Sequence, residues 1–373
     1  MWNLVKAHLA LCVLFFWPFF EKDAFWKPKE LVFIALGWMI VLWALVGRNG
    51  LEFKNRYLAA IGVYITALFS WYFLASFMSE GSIIQFWTLM PSLNVLLAIL
   101  LVVSLVRCTI SSDEWLSLTR WICLVGSLVA GYGLLQVFGF DNMTYRLMHT
   151  NRIFTTFGNS FLTAEFMSIV APFFLVFPQK HYKLGLALVI FIVIMCSSLG
   201  ASLALIAALV MFFLLKKQWK YALSVIGLVA FVVWWRSPVH SIQWFDPLRW
   251  ALWGEILTNI KQAAIFGFGL GSFSMHDWSA SISSSRTHAA HNDYLQFWFE
   301  GGLVLLVLMF LYFKDLLWRV IRCEGSNLVY AYLASLTAFS VNMMFGFPCR
   351  IAGLSIIAII TIAFLEAYTY ERI

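Results

Sequence analysis

Charge is scarce in this 373-residue chain: only 12% of its residues are Asp, Glu, Lys or Arg, about half the fraction usual in a soluble globular domain. A soluble fold of this size could not hide the 62% of residues that are apolar, because a single core cannot cover that much surface. A soluble enzyme and a disordered chain are excluded. The cysteines lack pattern: Cys12, Cys108, Cys123, Cys196, Cys323 and Cys349 are scattered, with no CxxC or other metal-ligand spacing. Most lie in or beside apolar runs, where a thiol acts as a small hydrophobe, so neither a disulfide scaffold nor a zinc site is indicated. The first apolar stretch has no small-residue cleavage site, since Trp17-Pro18-Phe19-Phe20 leads into Glu21, and it reads as an uncleaved span. What remains is an all-α polytopic membrane protein.

The apolar runs predict about twelve transmembrane helices in one integral membrane domain, residues 1–373. They lie near Leu4–Phe20, Leu31–Val46, Tyr57–Met78, Phe86–Val106, Leu118–Phe138, Phe161–Phe177, Leu184–Ser198, Gly200–Leu215, Tyr221–Trp235, Tyr294–Phe313, Leu328–Phe345 and Ile351–Leu365. With both termini cytoplasmic, 15 of the 25 basic residues fall in inside segments, as the positive-inside bias requires. The net charge of +7 then reflects basic cytoplasmic loops, and nucleic acid is not a partner.

Basic residues on the other side concentrate in two long external segments, with Arg146 and Arg152 in Gly139–Ser160 and Arg249, Lys261 and Arg286 in Ser237–Ala290. Connections this long are unusual unless they work. Translocated loops tolerate some Lys and Arg, but an external anion site is the preferred reading. The loop between spans nine and ten, residues 237–290, contains PLRWALWGEILTNIKQAAIFGF from Pro247 to Phe268. Trp250, Trp253, Leu257, Ile260 and Ala264 fall on one helical stripe. Such an amphipathic helix lies flat at the membrane surface or caps the bundle, and either way holds Arg249 at headgroup depth.

Gly267, Gly269 and Gly271 come next, a spacing that permits a tight turn whose N–H groups could face an anion, though a plain loop explains it too. His288 and His291 then stand three apart before the tenth span. A metal pair, a structural histidine and a catalytic base all fit. No third ligand stands at the zincin spacing, and histidine takes up a proton near neutral pH, so the base is favoured. Glu300 lies nine residues further, 900° around a helix and ~13.5 Å deeper. It reads as a buried polar link, with Gly301 and Gly302 letting a neighbouring helix approach.

These residues resemble the O-antigen ligase and polymerase superfamily, which also includes bacterial O-oligosaccharyltransferases. Ala290-His291-Asn292-Asp293-Tyr294-Leu295 with Glu300 and Gly302 is similar to its HN–L–E-x-G pattern. Arg249 with Trp253, then Gly267, Gly269 and Phe273, resembles its R-x3-W segment and G-x-G turn. Arg152 with Thr155, Phe157, Gly158 and Asn159 resembles a basic-then-TFGN stretch, and Asn342 with Pro348 a polar break near the second-last span. The likeness covers roughly residues 150–350; the first five spans match only in kind. Two departures stand out. Leu199, in Ser198-Leu199-Gly200-Ala201, replaces a family arginine that binds pyrophosphate, with Arg152 as a substitute, and the GxxG after the glutamate ends in Leu305.

The resemblance implies transfer of a glycan from undecaprenyl pyrophosphate to an acceptor hydroxyl on the periplasmic face of a bacterial inner membrane. The acceptor is a glycan, lipid A-core or a protein. Without a DxD pair or HxxxH, arginines rather than a metal are expected to meet the leaving-group charge. The expected catalytic residues are His291, Arg249 and Arg152, with His288, Asn292, Trp253, Gly267, Gly269 and Arg286 around the substrate. No cofactor is implied, and direct displacement inverts the anomeric centre. A polymerase of the same superfamily shares these motifs. A flippase of lipid-linked sugars is the other class, suggested by Pro91, Pro172 and Asn94 inside spans. It finds no internal repeat here and no use for a histidine and arginines gathered in one loop.

Overall fold

The computed structural model describes residues 1–15, 27–47, 55–78, 84–107, 111–141, 153–236, 247–276, 278, 289–323 and 325–371. Among the described residues the chain is all-helical and has no strand. The helices are α1 (Trp2–Leu14), α2 (Lys27–Gly47), α3 (Arg56–Met78), α4 (Ile84–Arg107), α5 (Ser112–Val137), α6 (Ser160–Val170) and α7 (Lys180–Cys196). They continue with α8 (Leu199–Leu215), α9 (Trp219–Arg236), α10 (Pro247–Ile260), α11 (Asp293–Ile321), α12 (Asn327–Phe345) and α13 (Ala352–Glu371). Among the described residues, four stretches are long and apolar enough to cross a bilayer: Pro28–Val46, Ser112–Val137, Asn327–Phe345 and Ala352–Tyr370.

Each predicted apolar run is helical, with informative differences at the ends. The second half of the first run lies outside the described residues. The sixth changes at Ala171 from α-helix to a 3-10 segment, because Pro172 has no N–H to continue the ladder. α4 passes through Pro91 without interruption, so Pro91 does not break that helix. Side-chain caps set several starts: Asn159 for α6, Ser198 for α8, Asn292 for α11 and Ser326 for α12 each accept a backbone N–H in the first turn.

α12 is central, packed along α8 and against α6 and α13. At the end of the bundle away from His291, Arg319 of α11 places Nη2 3.0 Å from both oxygens of Glu366 on α13 and Nε 3.0 Å from Asp315. Asn55, before α3, donates to both carboxylates. This polar knot fixes three helices at one level.

α10 packs differently from its predicted stripe. Its buried face is Leu252, Ile256 and Ile260, set against Phe273, Trp278, Ala290 and Phe299. Trp250 and Leu257 stay 53% and 44% exposed. The i, i+4, i+8 aliphatic row seats the helix on protein, and the large stripe residues project from an adjacent face. The helix also stops at Ile260 rather than running to Phe268.

Beyond α10 the chain forms a turn inserted into a broken helix. α11 loses helical geometry at Gly302 (φ 68, ψ −177), and the segment 264–269 pairs with the gap. Phe268 and Gly269 donate to the Phe299 and Glu300 carbonyls, each at 2.8 Å. Leu303 and Val304 donate to those of Ala264 and Ile265 at 2.8 and 3.1 Å. The pairing satisfies groups that are costly to leave open in an apolar bundle. The Gly301–Gly302 pair therefore admits a loop backbone, where the sequence suggested a helix. A Cβ at Gly302 would sit 2.2 Å from the Ile265 carbonyl oxygen. Gly302→Ala is expected to lower stability by about 1–3 kcal/mol from its backbone angle alone. Gly254→Ala, at an exposed position inside α10 with open space around its Cβ, should hold or slightly raise the melting temperature in detergent.

Candidate active site at the mouth of the bundle

Three short segments meet where α11 begins. The first is the exposed turn of α10 carrying Arg249 and, one turn later, Trp253. The second is Ala290–Asp293, the entry to α11. The third is Phe345–Arg350, between α12 and α13, and it joins the other two. Arg249 Nη1 donates to the Phe345 carbonyl at 3.2 Å. The His291 ring meets Phe347 edge-on with centroids 5.1 Å apart. Cys349 N–H donates to Asp293 Oδ2 at 2.9 Å. Trp253 closes the triangle, its Nε1 donating to the Ala290 carbonyl at 2.8 Å. The α7–α8 turn borders the same hub, since a Cβ at Gly200 would lie 2.7 Å from Phe345 Cβ.

Of the sequence-predicted site residues, the structure thus draws Arg249, Trp253 and His291 onto one hub. Arg152, Arg286 and His288 lie outside the described residues. Asn292 caps α11, its Oδ1 accepting from Leu295 N–H at 3.1 Å. Gly267 and Gly269 depart from the anion-turn reading, for their N–H groups donate to the Ala263 and Glu300 carbonyls. Among the described residues nearest the Arg152 motif, Thr156 is held from below by the buried Lys29, whose Nζ donates to its carbonyl and lies 4.4 Å over the Phe157 ring.

The hub rests on buried charge that the sequence pattern left unassigned. Arg350 Nη2 bonds Glu300 Oε2 at 2.9 Å, and its Nε stands 3.9 Å from Asp293 Oδ1. Both carboxylates are 1% exposed. Glu300 is the polar link expected of it, and Arg350 is its partner. Beside them Glu165 of α6 is buried against Gly346, where a Cβ would fall 2.1 Å from its Oε1, within electrostatic reach of Arg249 and Asp293. Asn342 donates to Ser168 Oγ at 2.9 Å and to the Glu165 carbonyl at 3.3 Å. One signal pointed to Arg350: a basic residue at the entry of the last apolar run, on the side the positive-inside bias avoids. Desolvation, reinforced by Asp293, raises the Cys349 thiol well above its ordinary pKa, so this sulfur is no ready nucleophile.

Residues 184–310 match the family model described as O-Antigen ligase. Over this stretch, about a third of the chain, the match supports the O-antigen ligase superfamily. The matched segment runs from α7 into α11, and so holds Arg249, Trp253 and His291 but ends before Phe345–Arg350. At the level of family it supports a membrane glycosyltransferase. No curated protein matches the chain.

Proposed function

We propose that the chain transfers a glycan from undecaprenyl pyrophosphate to an acceptor hydroxyl on the periplasmic side of the inner membrane, as a ligase. The observation that carries this reading is the attachment of Arg249 and His291 to neighbouring residues of one segment, Phe345 and Phe347. A guanidinium and an imidazole on one hub provide the two things the reaction requires. As the acceptor oxygen bonds to the anomeric carbon, its proton passes to His291. The bond from that carbon to the pyrophosphate oxygen breaks on the opposite face, and Arg249 meets the charge left on the departing lipid diphosphate. Attack and departure on opposite faces invert the anomeric centre. Arg152 is assigned a second phosphate contact, and Trp253, His288, Asn292 and Arg286 the rim around the sugars. Gly267 and Gly269 act through the loop they shape.

The test is reconstitution in proteoliposomes with undecaprenyl pyrophosphate bearing a fluorescent disaccharide. Lipid A-core, a second glycan chain and a periplasmic protein are offered in turn as acceptors. His291→Ala is expected to cut turnover by about 10²–10⁴, the range for a positioned acid–base group, at unchanged protein level. Wild-type turnover in that variant removes His291 from the mechanism. Loss of all activity on adding a chelator replaces the arginine account with a metal-dependent one.

A further inference from the structure

His291 has φ +51, the left-handed region, which a residue with a Cβ holds when its surroundings impose it. Its two neighbours are pinned. The Ala290 carbonyl accepts from Trp253, and the Ala290 N–H donates to Gln296 Oε1 at 3.0 Å. On the other flank, the Asn292 carbonyl accepts from the Gln296 N–H at 3.0 Å. Gln296 therefore grips the chain on both sides of the histidine, once with its side chain and once with its backbone.

The amide has one orientation available. Ala290 N–H can only donate, so it faces Oε1; Nε2 then donates to Glu300 Oε1, at 3.1 Å. Glu300 spends its other oxygen on Arg350 Nη2 at 2.9 Å. Three residues before Arg350, Phe347 meets the His291 ring. The contacts close a circuit around the imidazole: Ala290, Gln296, Glu300, Arg350, Phe347, His291. Gln296 and Glu300 are each 1% exposed, so water does not replace a lost link.

Resting on the catalytic role proposed for His291, we propose that Gln296 is a positioning residue: through this circuit it holds the imidazole in its working pose. Its side-chain partners are Ala290 and Glu300, both in its own stretch of chain, so it ties no second helix to the bundle. The Arg350–Glu300 pair supplies that tie without it. Removing the amide should release the turn and leave the packing intact.

The experiment uses the full chain in proteoliposomes with the same fluorescent disaccharide donor and whichever acceptor supports turnover. Per folded molecule, Gln296→Leu is expected to lower kcat about 10- to 100-fold, with the donor KM within about threefold and a shifted pH profile of kcat, while the melting temperature falls modestly because the Ala290 N–H and Glu300 Oε1 lose a partner. Glu300→Gln is the second variant. Its amide would donate toward Gln296, forcing that side chain to flip and set N–H against N–H at Ala290, so it should show the same loss of kcat. Wild-type kcat and pH profile in Gln296→Leu overturn the proposal, as does a loss matched by an equal loss of folded protein. His291→Ala, run alongside, separates the two claims. Full activity there takes His291 out of the mechanism and the positioning claim with it, and no turnover of the wild-type chain with any acceptor sinks the functional reading, whereas an inactive His291→Ala beside a fully active Gln296→Leu sinks only the positioning role.

Discussion

Replacing Arg249 by alanine is expected to slow glycan transfer about 10²–10³-fold, the usual cost of losing one charge aimed at a developing anion. The helix that carries it should stay in place, because α10 is seated by Leu252, Ile256 and Ile260 and tied to Ala290 through Trp253. What is lost includes the contact to the Phe345 carbonyl and a half-buried positive charge on the hub that also holds His291. Arg249→Lys should recover little, since an ammonium cannot present two parallel donors to phosphate oxygens. Single-turnover product formation together with the melting temperature decides the matter. A variant that melts normally and turns over normally would take Arg249 out of the mechanism.

Arg350→Leu is expected to be the most destabilising single change at the mouth. Glu300 and Asp293 would remain in the bundle with no cation between them, and stranding a buried carboxylate costs about 3–5 kcal/mol. The Arg350 side chain is 25% exposed and the two acids 1%, so solvent screening relieves little of that cost. Asp293→Asn should be milder, because an amide oxygen still accepts the Cys349 N–H. Thermal melting in detergent and the amount of protein reaching the membrane would show both. An Arg350→Leu chain as stable as wild type would mean the pair carries no weight.

The helices were legible because apolar runs of bilayer length leave a chain few alternatives. Arg249, Trp253 and His291 could be picked out because their residue types sit in spacings that resemble a family. Their meeting point could not. Phe345–Arg350 holds no reactive side chain in a recognisable pattern, and it works largely through a carbonyl, an amide and a phenyl ring. The Glu300–Arg350 and Glu165–Gly346 pairings join residues 50 and 181 apart in the chain, which no local periodicity marks. The need for a partner was visible in Glu300 alone, as a lone carboxylate in an apolar span; the identity of that partner required the fold. The glycines of the turn do signal unusual backbone conformation, but the groups they expose meet a helix break rather than a ligand.

That break has a consequence for life in membranes of different thickness. Because four backbone hydrogen bonds from another segment bridge the gap at Gly302, α11 is two rods. The longer one, ending at Ile321, is tied near its far end to α13 through Arg319 and Glu366, so a change in acyl-chain length is expected to tilt the two helices together. The short outer rod is clamped sideways to the turn beyond α10 and stays put. Arg249 and His291 are thereby held through Phe345, Phe347 and Trp253 rather than by lipid.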